Sequence, residues 1–116
     1  MGSVARFTAI LGLIQHTIVH LFQYIEKLAK GNVCRIAFRF LAIDQDHVED
    51  LGAHTGRRQS RHRITSADEG LEFYRLCQPS SYYDRTHTAF SIFIENETPA
   101  GNQYRAELLF LDVHGR

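Results

Sequence analysis

Charge of one sign is what this sequence most plainly lacks. Thirteen Lys and Arg balance thirteen Asp and Glu, so the formal net charge is zero. No overall field draws such a chain to nucleic acid or to an anionic membrane. Cysteine is scarce too, and Cys34 and Cys77 fall in no metal or redox spacing. They read as two buried thiols in a reducing compartment, which makes the cytoplasm the expected location. Long apolar runs are missing: the stretch 7–22 is interrupted by Gln15, His16 and His20, so it is a poor membrane span. No cleavage site follows it, and the opening MGSVAR places Arg where a myristoylation signal needs Ser or Thr. The sequence contains no P-loop, no G-x-G-x-x-G and no G-x-S-x-G. Repeats, low-complexity tracts and linkers are absent as well.

What is there is the composition of a folded domain. The chain is 44% hydrophobic and 22% charged, which argues against disorder. Its 116 residues read as a single domain, or a piece of one. A chain of that length buries roughly two-thirds of its unfolded surface and needs no metal or disulfide to fold.

Its organising stretch is VCRIAFRFLAID, residues 33–44. Cys34, Ile36, Phe38, Phe40 and Ala42 point to one side, and Val33, Arg35, Ala37, Arg39, Leu41 and Ile43 to the other. One apolar and one mixed face predict an interior strand. Before it, apolar residues at spacings of three and four from Phe7 to Leu28 predict a long helix over 4–30. Ser3 is its candidate N-cap and Gly31 its stop. Extra apolar residues Leu13, Val19 and Phe22 widen its stripe, which suits a second contact, either a copy of the helix or a neighbouring domain.

A polar turn at 44–47 leads to a weaker return strand over 48–55. Ser66 and Glu69 form a capping box, so a second helix starts there and runs to about Gln78, before Pro79. Gly70 either weakens that helix or lets something approach its backbone. Strands follow over 88–95 and 104–113, joined by a loop carrying Pro99 and Gly101. The run 108–111 is apolar on both faces, so the last strand is also expected inside the sheet. The fold class is α+β: a mainly antiparallel sheet of four to five strands with a long N-terminal and a shorter middle helix packed on it.

Local chemistry is thin. His16 and His20 share a helical face, but HTIVH lacks the acid of HExxH and no spacing selects a third ligand. Four arginines in RRQSRHR, residues 57–63, could meet phosphates. No aromatics interleave with them, so a solvated strand or loop is the better reading, with nucleic acid behind a protein partner. Asn96-Glu97-Thr98 is a glycosylation triplet that precedes a proline and lacks a secretory signal.

The order of elements resembles the GAF family of small sensory domains. The pieces that carry the likeness are a long helix followed by VCRIAFRFLAID, then DQDHVEDLGAHTG, RITSADEGLEFYRLCQPSSYYD, AFSIFIENE and YRAELLFLDVHG. The chain ends where such a domain continues into a further strand and helix, so a C-terminally incomplete copy over 1–116 is implied. The resemblance implies a non-catalytic sensory or interaction module. Its ligand pocket would be lined by Phe38, Phe40, Leu71, Tyr74, Tyr83, Asp84, Phe90 and Ile92, with plain core as the competing duty for each. It also implies a homodimer or a neighbouring domain held through the helix 4–30. No catalytic residue, metal or defined cofactor is expected. The alternative is a small enzyme or binding protein with a cone-shaped α+β barrel of the nuclear-transport-factor kind, worked by Tyr83, Asp84 and His87. A middle helix packed on the sheet beside the first favours the sensor; a sheet wrapped round a deep polar cavity favours the barrel.

Overall fold

The computed structural model describes residues 2–28, 30–44, 47–53, 61–78 and 87–113, with side chains from residue 12 onward. Helix α1 spans Gly2–Glu26. Ser3 therefore lies within it and does not cap it. The helix stops short of residue 30 because the chain must reverse into a strand at Val33. Two i→i+3 bonds tighten the exit, with Lys27 donating to the Tyr24 carbonyl and Leu28 to the Ile25 carbonyl. Gly31 then takes φ 93°. A Cβ there would come within 2.8 Å of the Pro99 ring, so the turn after α1 and the later hairpin loop meet at a position only glycine fits.

Strand β1, Val33–Asp44, has the expected bounds and lies inside the sheet. On one side it pairs with β4, His87–Glu97; on the other with the short strands β2, His47–Asp50, and β3, His62–Ile64. Strand β5, Gln103–Asp112, follows β4. Among the described residues every pairing is antiparallel and the sheet is open, in the order β2-β1-β4-β5 with β3 also on β1.

Two expectations need correction here. The return strand ends at Asp50, not residue 55. The Asp50 carboxylate accepts the Gly52 N–H at 2.9 Å and turns the chain away. Strand β5 is also not interior: among the described residues nothing pairs with its far side. Leu109 and Leu111 are 53% and 55% exposed. Phe110 reaches back to the Phe90 ring, but no described neighbour covers Leu109 or Leu111, whose apolar character marks what the strand is suited to.

Helix α2, Ala67–Leu76, begins where the capping box places it. Ser66 is extended, and its hydroxyl accepts the Glu69 N–H at 3.1 Å. The Glu69 carboxylate accepts in return from the Thr65 N–H at 2.6 Å and hydroxyl at 2.8 Å, one residue earlier than the usual box. Gly70 is the point of closest approach: a Cβ there would sit 2.9 Å from the Phe38 ring and 3.2 Å from Ile18.

Both helices cover one sheet face. Ile14, Ile18 and Phe22 from α1, Phe73 and Tyr74 from α2 and Cys77 at its C-cap pack on Ile36, Phe38, Phe40, Phe90 and Ile92. The register makes this face by alternation, setting Ile36 opposite Ile94, Phe38 opposite Ile92 and Phe40 opposite Phe90. Sheet with helices on one face is the arrangement named above for the sensor, and an open sheet excludes the cone-shaped barrel. The arrangement alone does not choose a family, as the comparisons below show.

Candidate functional site

Most of the anticipated pocket residues turn out to pack on one another. Phe40 stacks on Tyr74 with ring centroids 5.3 Å apart and 12° between planes. Phe90 meets Phe38 at 5.1 Å, Phe40 at 5.3 Å and Tyr74 at 5.0 Å, edge to face. Ile92 is fully buried beneath them and Leu71 is half-buried at their border. Tyr83 and Asp84 lie outside the described residues.

The aromatic cluster leads to a residue that sequence reasoning passed over, Asp112. It is the last residue of β5, only 5% exposed, and its register partner is Thr88 near the start of β4. Burial pushes the Tyr74 phenol above its ordinary pKa, and the charge of Asp112 pushes the same way, against a hydrogen bond with Gln78. His87, half-buried, opens β4 one residue before Thr88.

A carboxylate at the end of an apolar strand is the form taken by the Walker-B aspartate of P-loop nucleotide hydrolases, which holds Mg²⁺. Here the strand reads Leu108-Leu109-Phe110-Leu111 and closes on Asp112. That local run, four apolar residues and an acid, is the signal by which the site could be found in the sequence. Mg²⁺ keeps several waters and takes one or two carboxylates plus substrate phosphates. Asp112 fits as one such ligand. The phosphate-cradling G-x-x-x-x-G-K-[ST] run is not among the 116 residues. Among the described residues no three His, Cys, Asp or Glu side chains converge on one point.

The histidines and arginines resolve differently from one another. His16 and His20 bring their rings to 4.1 Å on the exposed side of α1. His62, from the basic run, turns into the core, 1% exposed, with its ring 4.9 Å from Phe73 and its Nε2 4.0 Å from the Asp50 carboxylate. Arg61 and Arg39 lie over the Phe93 ring at 3.9 and 5.1 Å, on the sheet face away from the helices. Arg57 and Arg58 lie outside the described residues. Cys34 and Cys77 are free thiols, Cys77 buried and Cys34 half-buried. No helix of the described residues is long and apolar enough to cross a membrane.

No protein-family profile matches the chain, and no curated protein matches it. Solved structures do. The motor and motor homology domain of Kar3Vik1, fused to a synthetic coiled coil, aligns with 89% of this chain at TM-score 0.77 and 19% identity. A fast kinesin, described for its ATPase mechanism and interactions with microtubules, aligns with 88% at TM-score 0.76 and 16% identity. The motor domain of a Kar3-like kinesin from Ashbya gossypii aligns with 88% at TM-score 0.73 and 18% identity. The chain spans 33%, 36% and 37% of those chains. These likenesses overturn the GAF assignment, and with it the expectation of a non-catalytic sensory module: helix, strand, hairpin and capped helix recur in the right order in a different fold. They overturn the nuclear-transport-factor alternative as well. The chain has the fold of part of a kinesin motor domain.

Proposed function

We propose that this chain is the central part of a kinesin-like motor ATPase domain, and that Asp112 is its Walker-B-type aspartate. The observation that carries the reading is the burial of Asp112 at the end of an apolar strand, in a fold shared with motor domains over 88–89% of the chain. The phosphate-cradling loop would come from residues outside these 116. The open edge of β5 and the bare sheet face are where further parts of such a domain would pack, since exposed leucines on a strand gain stability from a neighbour. The small molecule bound is then a magnesium nucleotide, and the macromolecular partner a microtubule, as named for the fast kinesin. Self-association or a neighbouring segment on α1 belongs to the same proposal, with exposed Leu13 and Tyr24 as its contact points. So does a cytoplasmic setting, the natural one for free thiols. Phe38, Phe40, Tyr74, Phe90 and Ile92 serve in it as the packed core that seats α2 on the sheet.

The test is phosphate release from ATP by the longest natural polypeptide that carries this segment, with Mg²⁺, in the presence and absence of microtubules. Microtubule-stimulated turnover is expected, and Asp112→Asn should lower it by about a hundredfold or more, as loss of a metal-holding charge does. The thermal midpoint of that variant serves as the folding control. No turnover in the parent, or full turnover in a folded Asp112→Asn, refutes the assignment.

A further inference from the structure

The histidine pair of α1 has no part in the nucleotide reading. His16 and His20 are both exposed, one helical turn apart, with ring centroids 4.1 Å from each other. Among the described residues neither ring has a hydrogen-bond or ion-pair partner. Two imidazoles on adjacent turns of one helix face can chelate a single ion. Zn²⁺ suits imidazole and takes four ligands in a tetrahedron. One copy of the chain supplies two of them, since no third His, Cys, Asp or Glu of the described residues converges there. We propose that each copy carries half of a Zn²⁺ site, and that a second copy, crossing antiparallel on α1, supplies the other half.

The order of residues along the helix selects a second copy. A twofold interface is self-complementary: residue i meets j, and j meets i. With 3.6 residues per turn, Leu13, His16, His20 and Tyr24 fall within about 80° of arc, on the side opposite the buried Ile14, Ile18 and Phe22. Leu13 is 54% and Tyr24 64% exposed. His16 and His20 lie two residues to either side of Ile18, Leu13 five before it and Tyr24 six after. Turned end for end, this stripe therefore reads almost the same. His16 of one copy meets His20 of the other, and Leu13 meets Tyr24, with a mismatch of under about 1 Å of helix rise. Four imidazoles then surround one point, with an apolar contact at each end. HTIVH carries no acid to act as a base, and four nitrogens leave no open position, so the site is a structural clasp and not a hydrolytic centre. It rests on the self-association of α1 proposed above and is independent of Asp112.

The experiment titrates the full chain with Zn²⁺ by calorimetry and follows its mass by sedimentation, with Mg²⁺ as the hard-cation control. One Zn²⁺ bound per two chains is expected, together with a dimer at least about tenfold tighter with Zn²⁺ than without it. Mg²⁺, which prefers oxygen ligands, should do neither. His16→Gln and His20→Gln each remove two of the four ligands and should weaken Zn²⁺ binding by about a hundredfold. Leu13→Arg keeps both rings and should prevent the Zn²⁺-bound dimer. Circular dichroism of each variant without metal is the folding control. Three results overturn the proposal: no Zn²⁺ binding; one Zn²⁺ per chain with no change in mass; or undiminished binding in the folded His16 and His20 variants, which would place the metal on other histidines. A dimer that forms equally with and without Zn²⁺ sinks the metal site and leaves the self-association reading standing. A chain that stays monomeric throughout sinks both.

Discussion

Strands β1 and β5 look alike as sequence and end in opposite circumstances. Both are apolar over their central residues, and both read as interior strands. In β1, Phe38 is 0% exposed beneath α2 and between two strand neighbours; in β5, Leu109 is 53% exposed on the uncovered side. The difference lies in the company. Phe38 has β4 on one side, β3 on the other and Gly70 above, whereas among the described residues the only strand beside β5 is β4. Apolar alternation tells what a strand can bury, and the neighbours decide what it does bury.

The contrast can be broken by mutation, most forcefully at its buried pole. Phe38→Ala should cost about 3–5 kcal/mol in urea unfolding, because it leaves a cavity among Phe73, Phe90 and Gly70 that cannot collapse. A loss below about 1 kcal/mol would show that the core is loosely packed. Next comes Gly70→Ala. The new methyl gains up to about 1 kcal/mol of helix propensity but drives into a ring that has no room to move. Overpacking costs about 1–3 kcal/mol, so a lowered thermal midpoint is expected, and a raised one would mean that α2 stands off the sheet. Ser66→Ala removes the acceptor for the Glu69 N–H and should cost about 1 kcal/mol, read by the same denaturation. The smallest effect belongs to the bare pole. Leu109→Ala should change the stability of this chain by no more than about 0.5 kcal/mol, as exposed positions do. In a longer natural polypeptide that covers β5, the same change should cost about 2–5 kcal/mol. Equal small losses in both contexts would mean that nothing packs on that face.

Much of the fold was legible because it rests on local rules. The bounds of β1 follow from a period of two, and the start of α2 from Ser66 and Glu69. The free edge of β5 was not legible, because a strand's sequence does not tell whether its far neighbour is present. The end of α1 was misplaced because Gly31 reads as the stop of a helix, whereas the chain uses it for a later turn against Pro99. The candidate site suffered in another way. Aromatics at Phe38, Phe40, Tyr74 and Phe90 are equally compatible with a pocket lining and with a core. Asp112 carried less signal, one acid after four apolar residues, and its meaning depends on being buried.

The order of helix and strand signals also served two folds at once, which is how a sensory domain could be read where the motor-type arrangement stands. Taken alone, then, the sequence settled the α+β class, the interior place of β1 and the capped second helix, because each follows from periodicity or from a hydrogen bond within a few residues. Tertiary structure alone decided that His62 turns inward, that among the described residues no strand pairs with the far edge of β5, and that Asp112 lies buried. Those outcomes depend on contacts between residues far apart in the chain, and no local pattern encodes them.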